Sequence, residues 1–127
     1  MPFARLTLHP APPPAQAERL GAELTELIGR DLGKQRSLTS VLVETPGWGR
    51  WTIAGEARSA AAHLEVCVTA GTNSEAQKRT FIDNSMNLLR NLAPDLHSAT
   101  YVVVRELPAT DWGFDGRTQA DRARERS

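Results

Sequence analysis

The chain has 127 residues, enough for one domain around one modest core. Lys plus Arg and Asp plus Glu both number 15, so the net charge is zero, which excludes a nucleic acid or an acidic membrane surface held chiefly by charge. The single cysteine, Cys67, has no partner for an internal disulfide, no apolar run approaches the ~18 residues of a membrane span, and no signal peptide is visible, so a reduced thiol and a cytoplasmic location are expected.

Residues 1–9 (MPFARLTLH) read as a strand that starts at a proline one residue behind the initiator methionine. Pro10 to Pro14 form a stiff connector, and Pro14 is placed to begin a helix. Ala17, Leu20, Leu24, Leu27, Ile28 and Leu32 then recur at helical spacing, and Gly33 stands in the C-terminal capping position. Residues 38–45 are β-branched and read as a second strand, broken by Pro46-Gly47-Trp48-Gly49. Arg50 to Ile53 form a short hairpin arm that ends at Ala54-Gly55-Glu56. Residues 63–69 are the third strand. Thr72-Asn73-Ser74-Glu75 has the form of a capping box, and Phe81, Ile82, Met86, Leu89 and Leu92 line one face of the helix that follows. Residues 99–107 are the fourth strand, 110–116 an aromatic, glycine-bearing loop, and 118–127 a solvated C-terminal tail without a DNA-binding role.

Strand, helix, strand occurs twice, as a pseudo-repeat of 2–56 and 62–116 inside one domain spanning 1–117. Two consecutive β-α-β units predict an α+β fold, a four-stranded sheet with two helices on one face. Leu6, Leu8, Val41, Val43, Leu64, Val66, Val68, Val102 and Val104 are too many for a half-exposed sheet. The third and fourth strands read as apolar on both faces, so other copies of the chain are expected to cover the second face.

The terminal proline is the first chemical candidate. If Met1 is removed, Pro2 becomes a secondary amine, and a free α-amino group titrates at about 7.7–8.0. Partly desolvated at the end of a strand, such an amine is pushed towards neutrality near pH 7 and becomes a general base. Trp51, Trp112 and Phe114 can line a pocket for a planar conjugated substrate, or pack at a subunit interface. Tyr101 can donate to a carbonyl oxygen or serve structure alone. Arg50, Arg105 and Arg117 can meet a substrate anion or form surface ion pairs. Asp111 and Asp115 can act as acid or water activator, or cap loops. His9, His63 and His97 lack the clustered spacing of a metal site, so neither metal nor cofactor is expected.

Pro2, the Leu38-Thr39-Ser40-Val41 entry to the second strand and the Trp51-to-Glu56 run are similar to 4-oxalocrotonate tautomerase. Over residues 2 to about 117 the chain resembles the tautomerase superfamily. Its fused two-block members include cis-3-chloroacrylic acid dehalogenase, malonate semialdehyde decarboxylase and relatives of macrophage migration inhibitory factor. Glu106-Leu107-Pro108-Ala109 and the loop from Trp112 to Arg117 look like the tail of the dehalogenase group. The resemblance implies a homotrimer with pockets at subunit boundaries and Pro2 as the catalytic residue. It also implies Trp51 as the pocket aromatic and His9 in the pocket wall. It implies a cofactor-independent tautomerase acting on a small carbonyl or enol substrate. Hydratase, dehalogenase or decarboxylase chemistry on the same scaffold, or a non-catalytic trimeric binding protein, are the alternatives. The arginines that bind carboxylates in the family are replaced here by Pro12, Leu42 and Thr72, and the acidic tail position aligns with Phe114 or Asp115.

Overall fold

A computed structural model describes residues 1–47 and 49–126. Trp48, within the expected break after the second strand, lies outside the described residues.

Strand β1 (Phe3–His9) alternates exposed and buried positions, with Ala4, Leu6 and Leu8 turned inward. Helix α1 (Pro14–Leu32) has proline at its first position, where the missing N–H would have found no intrahelical partner. It ends at Gly33, whose left-handed φ of 66° lets Gly33 N reach Gly29 O at 3.1 Å and Lys34 N reach Ile28 O at 3.5 Å. A 3₁₀ turn (Arg36–Leu38) leads into β2 (Ser40–Glu44). Two short strands, β3 (Thr52–Ile53) and β4 (Glu56–Ala57), form the expected hairpin arm. Ala54 and Gly55 both take positive φ there, the geometry of a tight two-residue hairpin turn. Strand β5 (Ala61–Thr69), helix α2 (Glu75–Leu92) and strand β6 (Tyr101–Leu107) repeat the first unit. The 110–116 segment holds β7 (Gly113–Phe114), and with β8 (Arg117–Thr118) it makes a second hairpin around Asp115-Gly116.

The sheet order is β2-β1-β5-β6. Strands β1 and β2 are parallel, as are β5 and β6, and the two units meet antiparallel along β1 and β5. The fold is α+β, two β-α-β units in one four-stranded mixed sheet, with the helices packed on one face. Leu20, Leu24, Ile28 and Leu32 of α1 and Phe81 and Leu89 of α2 close over Ala4, Leu6, Leu8, Leu64, Val66 and Val68.

Two expectations need correction. The nine aliphatic residues named above do not serve both faces: all point towards the helices or pack half-buried against that core. The pairing of Leu6 with Leu64 and Ala4 with Val66 puts them on one side. The other face is mixed. Phe3, Leu42 and Tyr101 are exposed there, between an Arg5–Glu44 pair at 2.6 Å and an Arg105–Glu65–His63 cluster. The capping box sits two residues later than expected. Ser74 accepts from Gln77 N at 3.1 Å and the Gln77 side chain accepts from Ser74 N at 3.0 Å, because Thr72 is occupied elsewhere. The C-terminal residues form a helix, α3 (Gln119–Arg126), whose first residue is buried and whose later residues are mostly exposed.

Candidate active site

Pro2 lies just before β1 and is fully buried, and its carbonyl accepts from Ser40 N at 3.2 Å. The antiparallel join sets this end of β1 beside the C-terminal ends of β5 and β6, since Phe3 faces Cys67 and Thr69 faces Leu107. The chain that follows β6 therefore starts from this end of the sheet. Trp112 Nε1 donates to Thr69 Oγ1 at 3.2 Å. Gln119, 7% exposed, is anchored by its backbone N–H to Trp112 O at 3.0 Å, and its Nε2 donates to Met1 Sδ at 3.0 Å.

Lys34 completes the corner. It stands immediately after the Gly33 cap, and its Nζ donates to Thr72 Oγ1 at 2.8 Å. Burial lowers the pKa of Lys34, opposed by the Glu106 carboxylate. Glu106 itself accepts from Lys78 Nζ at 2.6 Å and from Gly71 N at 3.2 Å. The terminal amine carried by Met1 is held below its ordinary value of 8.0, first by burial and then by the positive charges of Lys34 and Arg126. Water is thinned around this amine, and the nearest charges repel a proton.

Of the sequence candidates, Pro2 and Trp112 share this corner. Phe114, Asp115 and Arg117 form the adjoining hairpin. Arg122 lies 3.8 Å over the Phe114 ring, Arg117 Nη1 donates to Glu125 at 2.7 Å, and Asp115 takes the first left-handed turn position at φ 53°. His9 and Trp51 are elsewhere. They line a cleft at the other end of β1, seven residues away or about 23 Å at ~3.3 Å per residue. Tyr101 pairs with His63 towards that same far end and is 66% exposed on the open sheet face. Sequence reasoning missed Lys34, Gln119 and Arg126. The only signal for Lys34 was its place directly after a capping glycine, and the other two were hidden in a segment read as a solvated tail.

No protein-family model and no curated protein matches the chain. Solved structures do. Pt0534 inactivated by 2-oxo-3-pentynoate superposes with a TM-score of 0.83 at 14% identity, covering 95% of this chain and 98% of that one. The R7 fused 4-OT, described as an asymmetric trimer, gives 0.83 at 20% identity over 95% and 98%. A macrophage migration inhibitory factor-like protein from Entamoeba histolytica gives 0.78 at 20% identity over 92% and 97%. Two β-α-β units joined antiparallel, with a short hairpin after each, give this chain the fold of the tautomerase superfamily.

Proposed function

We propose that the chain is a cofactor-independent tautomerase in which Pro2, made the amino terminus by removal of Met1, is the general base for keto-enol proton transfer on a small carbonyl compound. The observation that carries this reading is the setting of the terminus: Pro2 is fully buried, and burial, Lys34 and Arg126 lower the pKa of the amine that Met1 carries one residue before it. A neutral Pro2 nitrogen takes the proton from a carbon next to a carbonyl, or from an enol hydroxyl, and returns it to the conjugated carbon. Lys34 offers positive charge to the oxygen on which negative charge develops. Loss of Met1 frees Gln119 Nε2, a buried donor at the same corner, to bind that oxygen. The inactivation of Pt0534 by 2-oxo-3-pentynoate supports a 2-oxo compound as the substrate class.

A homotrimer belongs to this proposal. The fused 4-OT chains of the same fold are described as trimers. The open face with exposed Phe3, Leu42 and Tyr101 is the surface that a trimer would bury, and Tyr101 would join a Pro2 pocket only from a neighbouring copy.

Intact mass of untagged protein, followed by ketonisation of phenylenolpyruvate, tests the reading. The expected result is loss of the initiator methionine and a rate that falls about 10²–10⁴-fold in Pro2→Ala, the ordinary contribution of a general base. A retained Met1, or wild-type turnover no faster than that of the variant, would leave a non-catalytic binding protein as the better account.

A further inference from the structure

The far pole of the sheet carries a second cleft that Pro2 does not line. It has a volume of about 670 Å³ and is walled by His9, Gly49, Arg50, Trp51, Thr52 and Arg58. Among the described residues, no aspartate or glutamate lines it. Arg5, Arg30, Arg79, Arg105 and Arg117, outside the cleft, each form an ion pair with a carboxylate. Among the described residues Arg50 and Arg58 have no carboxylate partner. Arg50, Arg58 and Trp51 thus line one cleft with no carboxylate among its described walls.

Arg58 is also held in place. Its Nη2 donates to Ile53 O at 3.2 Å, tying the guanidinium to the β3–β4 hairpin, and its Nε is covered without an acceptor. Little rotamer freedom remains to be lost when an anion arrives. The backbone repeats the construction of the Pro2 corner. Arg58 N donates to Trp51 O at 3.0 Å, as Gln119 N donates to Trp112 O at 3.0 Å, each closing the hairpin that ends its unit. At the near pole that frame surrounds the chain terminus. At the far pole the matching strand start is Ala61, in mid-chain, so the frame holds cations but no amine base.

We propose that the far cleft is a binding site for a small organic carboxylate with a planar apolar body. Arg50 and Arg58 grip the carboxylate, and the plane lies against Trp51. The site takes no part in the Pro2 proton transfer, because no chain terminus lies there.

Titration of the full chain with benzoate, followed by amide chemical shifts in nuclear magnetic resonance, tests this. Benzyl alcohol, similar in shape but uncharged, is the comparison probe. Saturable shifts centred on His9 and residues 50–58 are expected with benzoate and not with benzyl alcohol. R50Q/R58Q should weaken benzoate binding by about tenfold or more, the loss expected when a charge-assisted contact goes, while K34Q leaves it in place. Single R50Q, at an exposed position, reads the same loss if the double variant folds poorly. Benzoate shifts confined to the Met1, Lys34 and Gln119 corner, undiminished affinity in the arginine variants, or equal binding of benzyl alcohol would overturn the proposal.

Discussion

Gly113 is the residue on which the Pro2 corner is hinged. A Cβ built on it meets Arg117 O at 1.9 Å, Arg117 C at 2.6 Å and Thr118 Cα at 2.7 Å. All three are backbone atoms of the facing strand, so no side-chain rotation relieves the overlap, and Gly113→Ala must open the β7–β8 ladder. That ladder hands the chain on to α3. Gln119 N to Trp112 O at 3.0 Å, Ala120 N to Ala109 O at 2.9 Å and Arg122 Nη2 to Phe114 O at 3.0 Å all depend on it. At ~1 kcal/mol net for each hydrogen bond, their joint loss weakens the corner by about 3 kcal/mol. That raises its open population by about a hundredfold. The helix-covered core, with Phe81, Leu24 and Leu64 fully buried, lies apart from the clash and stays folded. Hydrogen exchange should therefore speed by about a hundredfold in residues 113–126 and remain slow in β1 and β5. Turnover near neutral pH should fall with it, because the terminus loses its cover and its approach to Arg126, and its pKa climbs back towards 8.0. Gly21→Ala, whose new Cβ meets no atom within 4 Å, is the control. Wild-type exchange and wild-type turnover in Gly113→Ala would refute the idea that the second hairpin holds the terminus in place.

Two further outcomes follow from the same geometry. Removing the positive charge of Lys34 makes protonation of the terminal amine easier, so Lys34→Gln should move the rising limb of the kcat/KM–pH profile to higher pH; an unmoved or acid-shifted limb would count against electrostatic tuning by this residue. The same sign governs stability in the chain that keeps Met1. The folded amine binds a proton less readily than the unfolded one, so the group's contribution to stability rises as pH increases to about 8. Ser74→Ala removes the hydroxyl that accepts from Gln77 N, the side-chain arm of the α2 capping box, and should cost ~1 kcal/mol, read as a lower urea midpoint at unchanged slope; an unchanged midpoint would mean that this arm contributes nothing to the folded state.

Local order was legible because it is written in neighbours. Pro14 and Gly33 mark the ends of α1, and alternation marks β1. Asp115-Gly116 is a strong signal for a two-residue turn, although the segment was read only as a loop. The capping box was misplaced because Thr72 and Ser74 are both good caps. Contacts made by Thr72 separate them: its hydroxyl accepts from the distant Lys34 ammonium and donates to Thr69 O at 2.6 Å, which leaves Ser74 to cap.

The sequence by itself determined two β-α-β units and a proline at the second position, just before the first strand. Tertiary structure alone decided which tryptophan meets that proline. Each unit sends its hairpin off the C-terminal end of its second strand, and the units join antiparallel, so the first hairpin goes to the far pole and the second returns to the terminus. Trp51 and Trp112 look equivalent along the chain, yet stand at opposite ends of the sheet. Strand direction across a non-local pairing is set by how two half-buried surfaces fit together, and no local spacing encodes it.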